Sequence, residues 1–147
     1  MKKAAHATHV AQVWEGVERA HTSMSAALER DMVPEAGMPL AWYQVLLHLS
    51  RAEGGMMRYQ DLARCAGISN SGASRRLDQM TRSGLIERRL CATDRRGVFA
   101  HITTKGEAAF SRAHKVFLGS LERNFGARLK AEEASVISEA LARLPLS

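Results

Sequence analysis

The chain has 147 residues, 46% apolar and 24% charged, with a net charge of +6. That composition can bury the core of one compact domain or two small interlocked ones, and it excludes a disordered chain. No run of 18 apolar residues is present, which excludes a membrane-spanning helix, and an aromatic content of 5% argues against a base-stacking platform for single strands.

From about His6 to Asp31, Val10, Val13, Trp14, Val17, His21, Met24 and Leu28 recur at three- and four-residue steps and predict one long amphipathic helix, with a length of about 40 Å. Pro34, Gly37 and Pro39 are expected to break it. A second helix is predicted over about Leu40 to Arg51, ended by Glu53-Gly54-Gly55, and Met56-Met57 reads as a very short strand. A third helix covers Arg58 to Ala66. Ser69 is the expected N-cap of a fourth helix that reaches about Ser83, with Gly84 as a left-handed C-cap.

Residues 85 to 102 read as a β-hairpin: two short apolar-alternating runs flank the polar turn Ala92-Thr93-Asp94-Arg95-Arg96-Gly97. A capping box at Thr104-Lys105-Gly106-Glu107, or a cap at Thr103 instead, opens a fifth helix predicted to reach about Leu129. A sixth covers Ala131 to Leu144.

A helix pair joined at Gly67 and followed by a basic hairpin is the layout of a winged helix-turn-helix, a module that commonly reads DNA. The fold class expected is mainly α with a small β-hairpin wing (α+β). Residues 1–39 form an N-terminal dimerisation helix, 40–103 the winged module, and 104–147 C-terminal dimerisation helices. The apolar stripes at both ends exceed what a small basic module can cover, so a second copy of the chain is the economical partner, with a monomeric helical bundle as the alternative.

Charge agrees with this layout. From Gly55 to Gly106, ten basic residues face four acidic ones, which leaves the rest of the chain neutral. A basic middle between neutral ends suits a polyanion; a solvated arginine-rich surface is the plainer reading.

On the fourth helix, Ala73, Leu77 and Met80 form a core face, while Ser71, Ser74, Arg75, Asp78 and Arg82 share another. The second face offers short donors near a helix N-terminus and arginines able to pair with guanine. Ser69, Asn70, Ser71, Ser74, Arg75 and Arg76 are therefore candidate DNA contacts, although Arg75 and Arg76 can also be simply solvated. Asp78 is a carboxylate that phosphate would repel; it could instead cap or form an ion pair within its own helix. At the hairpin tip, Arg95 and Arg96 suit a narrow minor groove, and Asp94 either orients an arginine or closes an Asx turn.

With these residues in place, the chain resembles the MarR family of bacterial transcriptional regulators from about Leu40 to Phe110. The resemblance rests on Ser71-Gly72-Ala73-Ser74-Arg75-Arg76-Leu77-Asp78, Gly84-Leu85-Ile86-Glu87-Arg88, the Asp94-Arg95-Arg96-Gly97 wing tip and Ile102-Thr103-Thr104-Lys105-Gly106. It implies a homodimer on pseudo-palindromic double-stranded DNA, usually acting as a repressor. Ser71, Ser74 and Arg75 would lie in the major groove, and Arg96, oriented by Asp94, in the minor groove. It also implies control by a small aromatic or phenolic effector bound between dimerisation helices and winged module, where Trp14, His21, Trp42, Tyr43, His48 and His114 are candidates; a tryptophan at helical spacing is also an ordinary core residue.

The oxidant sensors of the family carry a cysteine in the first helix, and this chain has none there. Cys65 and Cys91 lie in the winged module, and two cysteines without a signal core predict a cytoplasmic chain with no disulfide framework. His6 and His9 could seed a metal site but have no acidic or cysteine partner nearby in sequence, so no metal and no cofactor is expected. An enzyme is not expected either. Gly67-Ile68-Ser69-Asn70-Ser71 lacks the closing glycine of a nucleophile elbow, and the Gly67 to Gly72 spacing lacks the Lys-Ser/Thr of a P-loop. The rival readings are a winged module that binds protein instead of DNA, which would place an apolar patch on the fourth helix, and a metal- or thiol-responsive repressor.

Overall fold

Helix α1 runs Lys2–Ala36 and is longer at both ends than its apolar periodicity predicts. Pro34 lies inside it, contrary to the expected break. A proline in the last turn removes one N–H and leaves the following turn free to close, so the chain turns only at Gly37, whose N–H still reaches the Val33 carbonyl at 3.1 Å. Helix α2, Leu40–Arg51, starts where the Leu40 N–H donates to Glu29 Oε2 at 2.7 Å, and it buries Leu40, Tyr43, Val45, Leu46 and Leu49. Strand β1 (Met56–Arg58), helix α3 (Tyr59–Cys65), helix α4 (Asn70–Arg82), strands β2 (Ile86–Leu90) and β3 (Val98–Ile102), and helices α5 (Thr104–Asn124) and α6 (Ala131–Ala142) follow. This computed structural model describes residues 2–66, 70–90 and 97–144, with the side chains of residues 2–6, 70 and 71 outside that description.

The three strands form one antiparallel sheet in the order β1-β3-β2. The β2–β3 ladder pairs Ile86 with Ile102 and Leu90 with Val98, so the two arms of the expected hairpin are present. Ile86, Ala100 and Ile102 point into a core shared with Leu46, Leu49, Leu62, Leu77 and Met80, all at most 3% exposed. Alternation places Glu87 and Arg89 on one face of β2, and Arg88 on the face of Ile86 but beyond the core, where it is exposed.

A dense junction joins α4, β2 and α5. Gly84 adopts φ +71°, which lets the Leu85 N–H bond the Met80 carbonyl at 3.0 Å and the Gly84 N–H bond the Thr81 carbonyl at 2.9 Å. This is the pairing that closes a helix through a left-handed residue. Thr103, rather than Thr104, caps α5: its hydroxyl accepts from the Gly106 N–H at 3.0 Å and donates to the Gly84 carbonyl at 2.7 Å. Thr104 is already helical because the cap must be the residue whose side chain reaches both the α5 amides and the end of α4. Lys105 Nζ donates to the Ser83 carbonyl at 2.8 Å. Gly106 passes so close to β2 that a Cβ there would lie 2.1 Å from the Leu85 carbonyl oxygen.

Helix α5 stops at Asn124, short of the expected Leu129, and a 3₁₀ turn at Gly126–Arg128 follows. Asn124 Nδ2 donates to the Ser120 carbonyl at 2.9 Å, a local bond of the kind that competes with continued helix. Helix α6 then begins where expected, with the Lys130 N–H donated to Glu133 Oε2 at 2.9 Å.

The chain divides into two units, Glu29–Phe117 and Met1–Leu28 with Leu118–Ser147. The first contains the sheet, α2 to α4 and the core. The second leaves apolar side chains in solvent: Val10, Val13, Trp14 and Val17 on α1, and Val136, Ile137 and Leu141 on α6. Trp14 is 62% exposed and so is not a core residue of the single chain. Among the described residues no helix is long and apolar enough to cross a membrane.

The junction makes Gly106→Ala informative. Alanine ordinarily gains about 1 kcal/mol over glycine within a helix. Here the overlap with the Leu85 backbone should reverse the sign and cost about 1–3 kcal/mol. Urea unfolding measures it, and an unchanged or raised midpoint would show that α5 and β2 do not approach so closely.

Candidate nucleic-acid interface

Helix α4 is the most strongly two-faced element of the first unit. Ala73, Leu77 and Met80 are at most 3% exposed, and one flank over, Ser74, Arg75, Gln79 and Arg82 face solvent. Burial of the first set fixes the helix's rotation about its own axis, and that rotation presents the second. Arg75 and Arg82 point away from the core. Ser74 and Asp78 lie on the flank toward β2, and the half-buried Arg76 lies on the other flank. Asn70 and Ser71 open α4, but their side chains fall outside the described residues, as do Ser69, Asp94, Arg95 and Arg96 entirely. Strands β2 and β3, on either side of these wing residues in the sequence, pair with each other.

Between α4 and the sheet lies a cleft of about 320 Å³, lined by Arg58, Tyr59, Gln60, Ala73, Ser74, Arg88, Gly97 and Val98. Its edge holds an unexpected constellation. Arg88 on β2 forms an ion pair with Asp78 through Nη2 and donates from Nε to the Tyr59 hydroxyl at 3.0 Å. Its guanidinium carbon lies 5.3 Å from the Tyr59 ring centroid. The Tyr59 hydrogen bond first, and the Asp78 carboxylate with it, favour the charged guanidinium and push its pKa above the ordinary value. Asp78 therefore pairs across to Arg88 on β2, neither of the intra-helix roles the sequence suggested. Neither Arg88 nor Tyr59 is singled out by periodicity. The signal for Arg88 was its place directly after Gly84-Leu85-Ile86-Glu87, but its partners are 10 and 29 residues away in sequence.

The candidate effector residues are distributed. Tyr43 and His114 meet: the Tyr43 hydroxyl and His114 Nδ1 are 2.7 Å apart, inside a stack in which Tyr43 lies 5.7 Å from the Phe110 ring and 4.5 Å from that of Phe117. With the imidazole proton on Nε2, the phenol donates. Burial pushes the Tyr43 pKa up to about 12, partly offset by the Arg51 charge. Burial, then Arg51, lower that of His48. Trp42 borders a shallow groove with Gln79, Arg82 and Ser83. Trp14 and His21 are exposed on the part of α1 that belongs to the second unit. Among the described residues no three His, Cys, Asp or Glu side chains come together as a metal site, and Cys65 is exposed.

A sequence model of the MarR family matches residues 36–97. AbsC of Streptomyces coelicolor, a MarR family transcriptional regulator, is 30% identical over 88% of this chain and 86% of its own, with a TM-score of 0.80. The chain belongs to the MarR family. Members of this family are transcriptional regulators and not enzymes. Sco3205 of the same organism, a MarR family regulator solved in complex with DNA, is 27% identical over 89% of this chain and 82% of its own, also at a TM-score of 0.80. Bordetella bronchiseptica BpsR, a protein whose DNA binding is regulated by 6-hydroxynicotinic acid, shares the fold at a TM-score of 0.77 and 20% identity, over 90% of this chain and 97% of its own. The winged helix-turn-helix expected from the sequence is thus the fold of a MarR regulator.

The raised Tyr43 value has a measurable consequence. The folded state keeps the phenol proton after the unfolded state has released it near pH 10, so stability is complete below pH 10 and falls as pH rises to about 12. The loss amounts to about 2–3 kcal/mol. Urea midpoints taken below pH 10 and near pH 12 should fall further for the wild type than for Tyr43→Phe; parallel declines would mean that Tyr43 ionises freely in the folded chain.

Proposed function

We infer that this MarR-family chain is a homodimeric regulator that binds double-stranded DNA in a sequence-specific manner at a pseudo-palindromic operator, acts as a repressor in the cytoplasm, and has its DNA affinity modulated by a small aromatic or phenolic effector. The observation that carries the reading is the exposed face of α4. Among the described residues that face presents Ser74, Arg75, Gln79 and Arg82 and no apolar side chain, which suits a groove lined by acceptors and phosphates. A protein-docking helix would present an apolar patch there. Sco3205, with the same architecture, has been captured on DNA. In this reading Ser69, Asn70, Ser71, Ser74, Arg75 and Arg76 belong to the major-groove surface, and Arg95 and Arg96, with Asp94 orienting them, to the wing.

Homodimerisation is supported by the exposed apolar stripes of α1 and α6. Large apolar side chains left in water on two helices of one unit are the mark of an interface rather than of a monomer's surface. The domain roles follow: 1–39 and 104–147 pair the chains, and 40–103 binds DNA. The effector reading is supported by the flat-ring stack of Tyr43, Phe110, His114 and Phe117, with His48 on the same helix as Tyr43, and by the regulation of BpsR by 6-hydroxynicotinic acid. Trp14, His21 and Trp42 remain candidates for the same role.

Binding to duplex DNA from the chain's own upstream region, measured by fluorescence anisotropy across a salt series, tests the central claim. Sequence-preferring, salt-sensitive binding is expected, and its absence overturns the reading. Arg75→Ala should cost about 1–3 kcal/mol and relax preference at one base position, whereas an equal loss on every sequence would show contact with phosphate alone. Sedimentation should give a dimer for the wild type and a monomer for Val13→Asp, since a carboxylate at the centre of the α1 stripe would be buried unpaired; a wild-type monomer would remove the dimer.

A further inference from the structure

A carboxylate on the groove-facing flank of a DNA-reading helix is an electrostatic fault. Asp78 stands one turn from Ser74 and Arg75, on the same side of α4, and would face phosphates at a charge of −1. The chain does not leave it so. Arg88 reaches over from β2 to pair with it, and Tyr59 at the start of α3 holds the guanidinium by its hydroxyl and beneath it by its ring. Two of the guanidinium's five N–H donors serve these partners, and the planar group is thereby held in one orientation. The three residues come from α3, α4 and β2, so the same contacts tie the recognition helix to the wing and to the helix before it.

We propose that Arg88 is a positioning residue for DNA recognition. It acts as the internal counter-ion of Asp78, cancelling the carboxylate that would otherwise repel the duplex and locking the hairpin to α4, with Tyr59 as the arm that keeps it in place. The inference rests on the reading of α4 as the DNA-binding helix. It assigns Arg88 no base or phosphate contact, and this is what makes it separable from a direct role.

The test is a rescue. Arg88→Gln should weaken operator binding about tenfold or more, because Asp78 then faces the phosphates unpaired. Asp78→Asn alone should bind within about threefold of wild type, since the amide carries no charge to cancel, and the double variant Arg88→Gln/Asp78→Asn should recover most of what Arg88→Gln lost. Tyr59→Phe should fall between wild type and Arg88→Gln and should also be suppressed by Asp78→Asn.

The salt dependence provides the second readout. In the double variant the slope of log affinity against log salt should equal that of the wild type, whereas loss of a direct phosphate contact would lower it by about 0.9 whatever residue 78 is. Circular dichroism and thermal melts of each variant show that the fold is retained. A double variant as weak as Arg88→Gln, or a lowered slope in both, overturns the counter-ion assignment while leaving DNA binding by the wild type intact. A wild-type chain that binds no duplex overturns both.

Discussion

The contact between Gly106 and the Leu85 carbonyl, with the Thr103 hydroxyl bridging the α5 amide and the Gly84 carbonyl, is the constraint on which the Glu29–Phe117 unit depends. Three elements end or begin within a few residues there, and each leaves backbone groups that need partners. Thr103 serves two of them at once, Lys105 takes the Ser83 carbonyl, and Gly84 closes α4 through its left-handed turn. Helix α4 therefore has a defined end and a fixed exit into β2. A side chain at position 106 would wedge the two apart. What α4 presents to solvent is thus set in part at its C-terminal end, by the groups of this junction.

The rotation of α4 is set by burial and its charge by pairing. Ala73, Leu77 and Met80 are almost wholly withdrawn from water, and turning the helix by one residue would expose them at a cost of about 1.5–3 kcal/mol for each of the large ones. That expense holds Ser74, Arg75 and Arg82 outward. The same rotation places Asp78 among them, and Arg88 answers it from the neighbouring strand. The positive charge around α4 is consequently organised, with Arg88 committed to an internal ion pair while Arg75 and Arg82 face solvent.

The second unit behaves differently. Its helices expose apolar stripes that a core would hide, with a water-exposed Trp14 beside Val10, Val13 and Val17. Helix α5 has residues in both units, with Phe110, His114 and Phe117 in the first and Leu118 to Asn124 in the second.

By itself the sequence determined the order of elements, the helix pair with its hairpin, the core face of α4, the left-handed cap at Gly84 and the basic character of the middle of the chain. These are local: periodicity, capping chemistry and turn residues act over a few positions, and the family motif is contiguous. Some local signals competed, and there the chain's surroundings chose. Pro34 failed to end α1, Thr103 took the cap from Thr104, and Asn124 stopped α5 early. Only the tertiary structure decided who partners whom across sequence distance. Asp78 reads as a problem in one dimension and becomes paired only when β2 folds back beside α4. Tyr43 and His114, 71 residues apart, become a hydrogen-bonded stack only when α2 lies against α5. Side-chain range along a helix or strand spans a turn or a register step, whereas these pairings depend on how separate elements pack, and that is written in the sum of all the burial and not in any one segment.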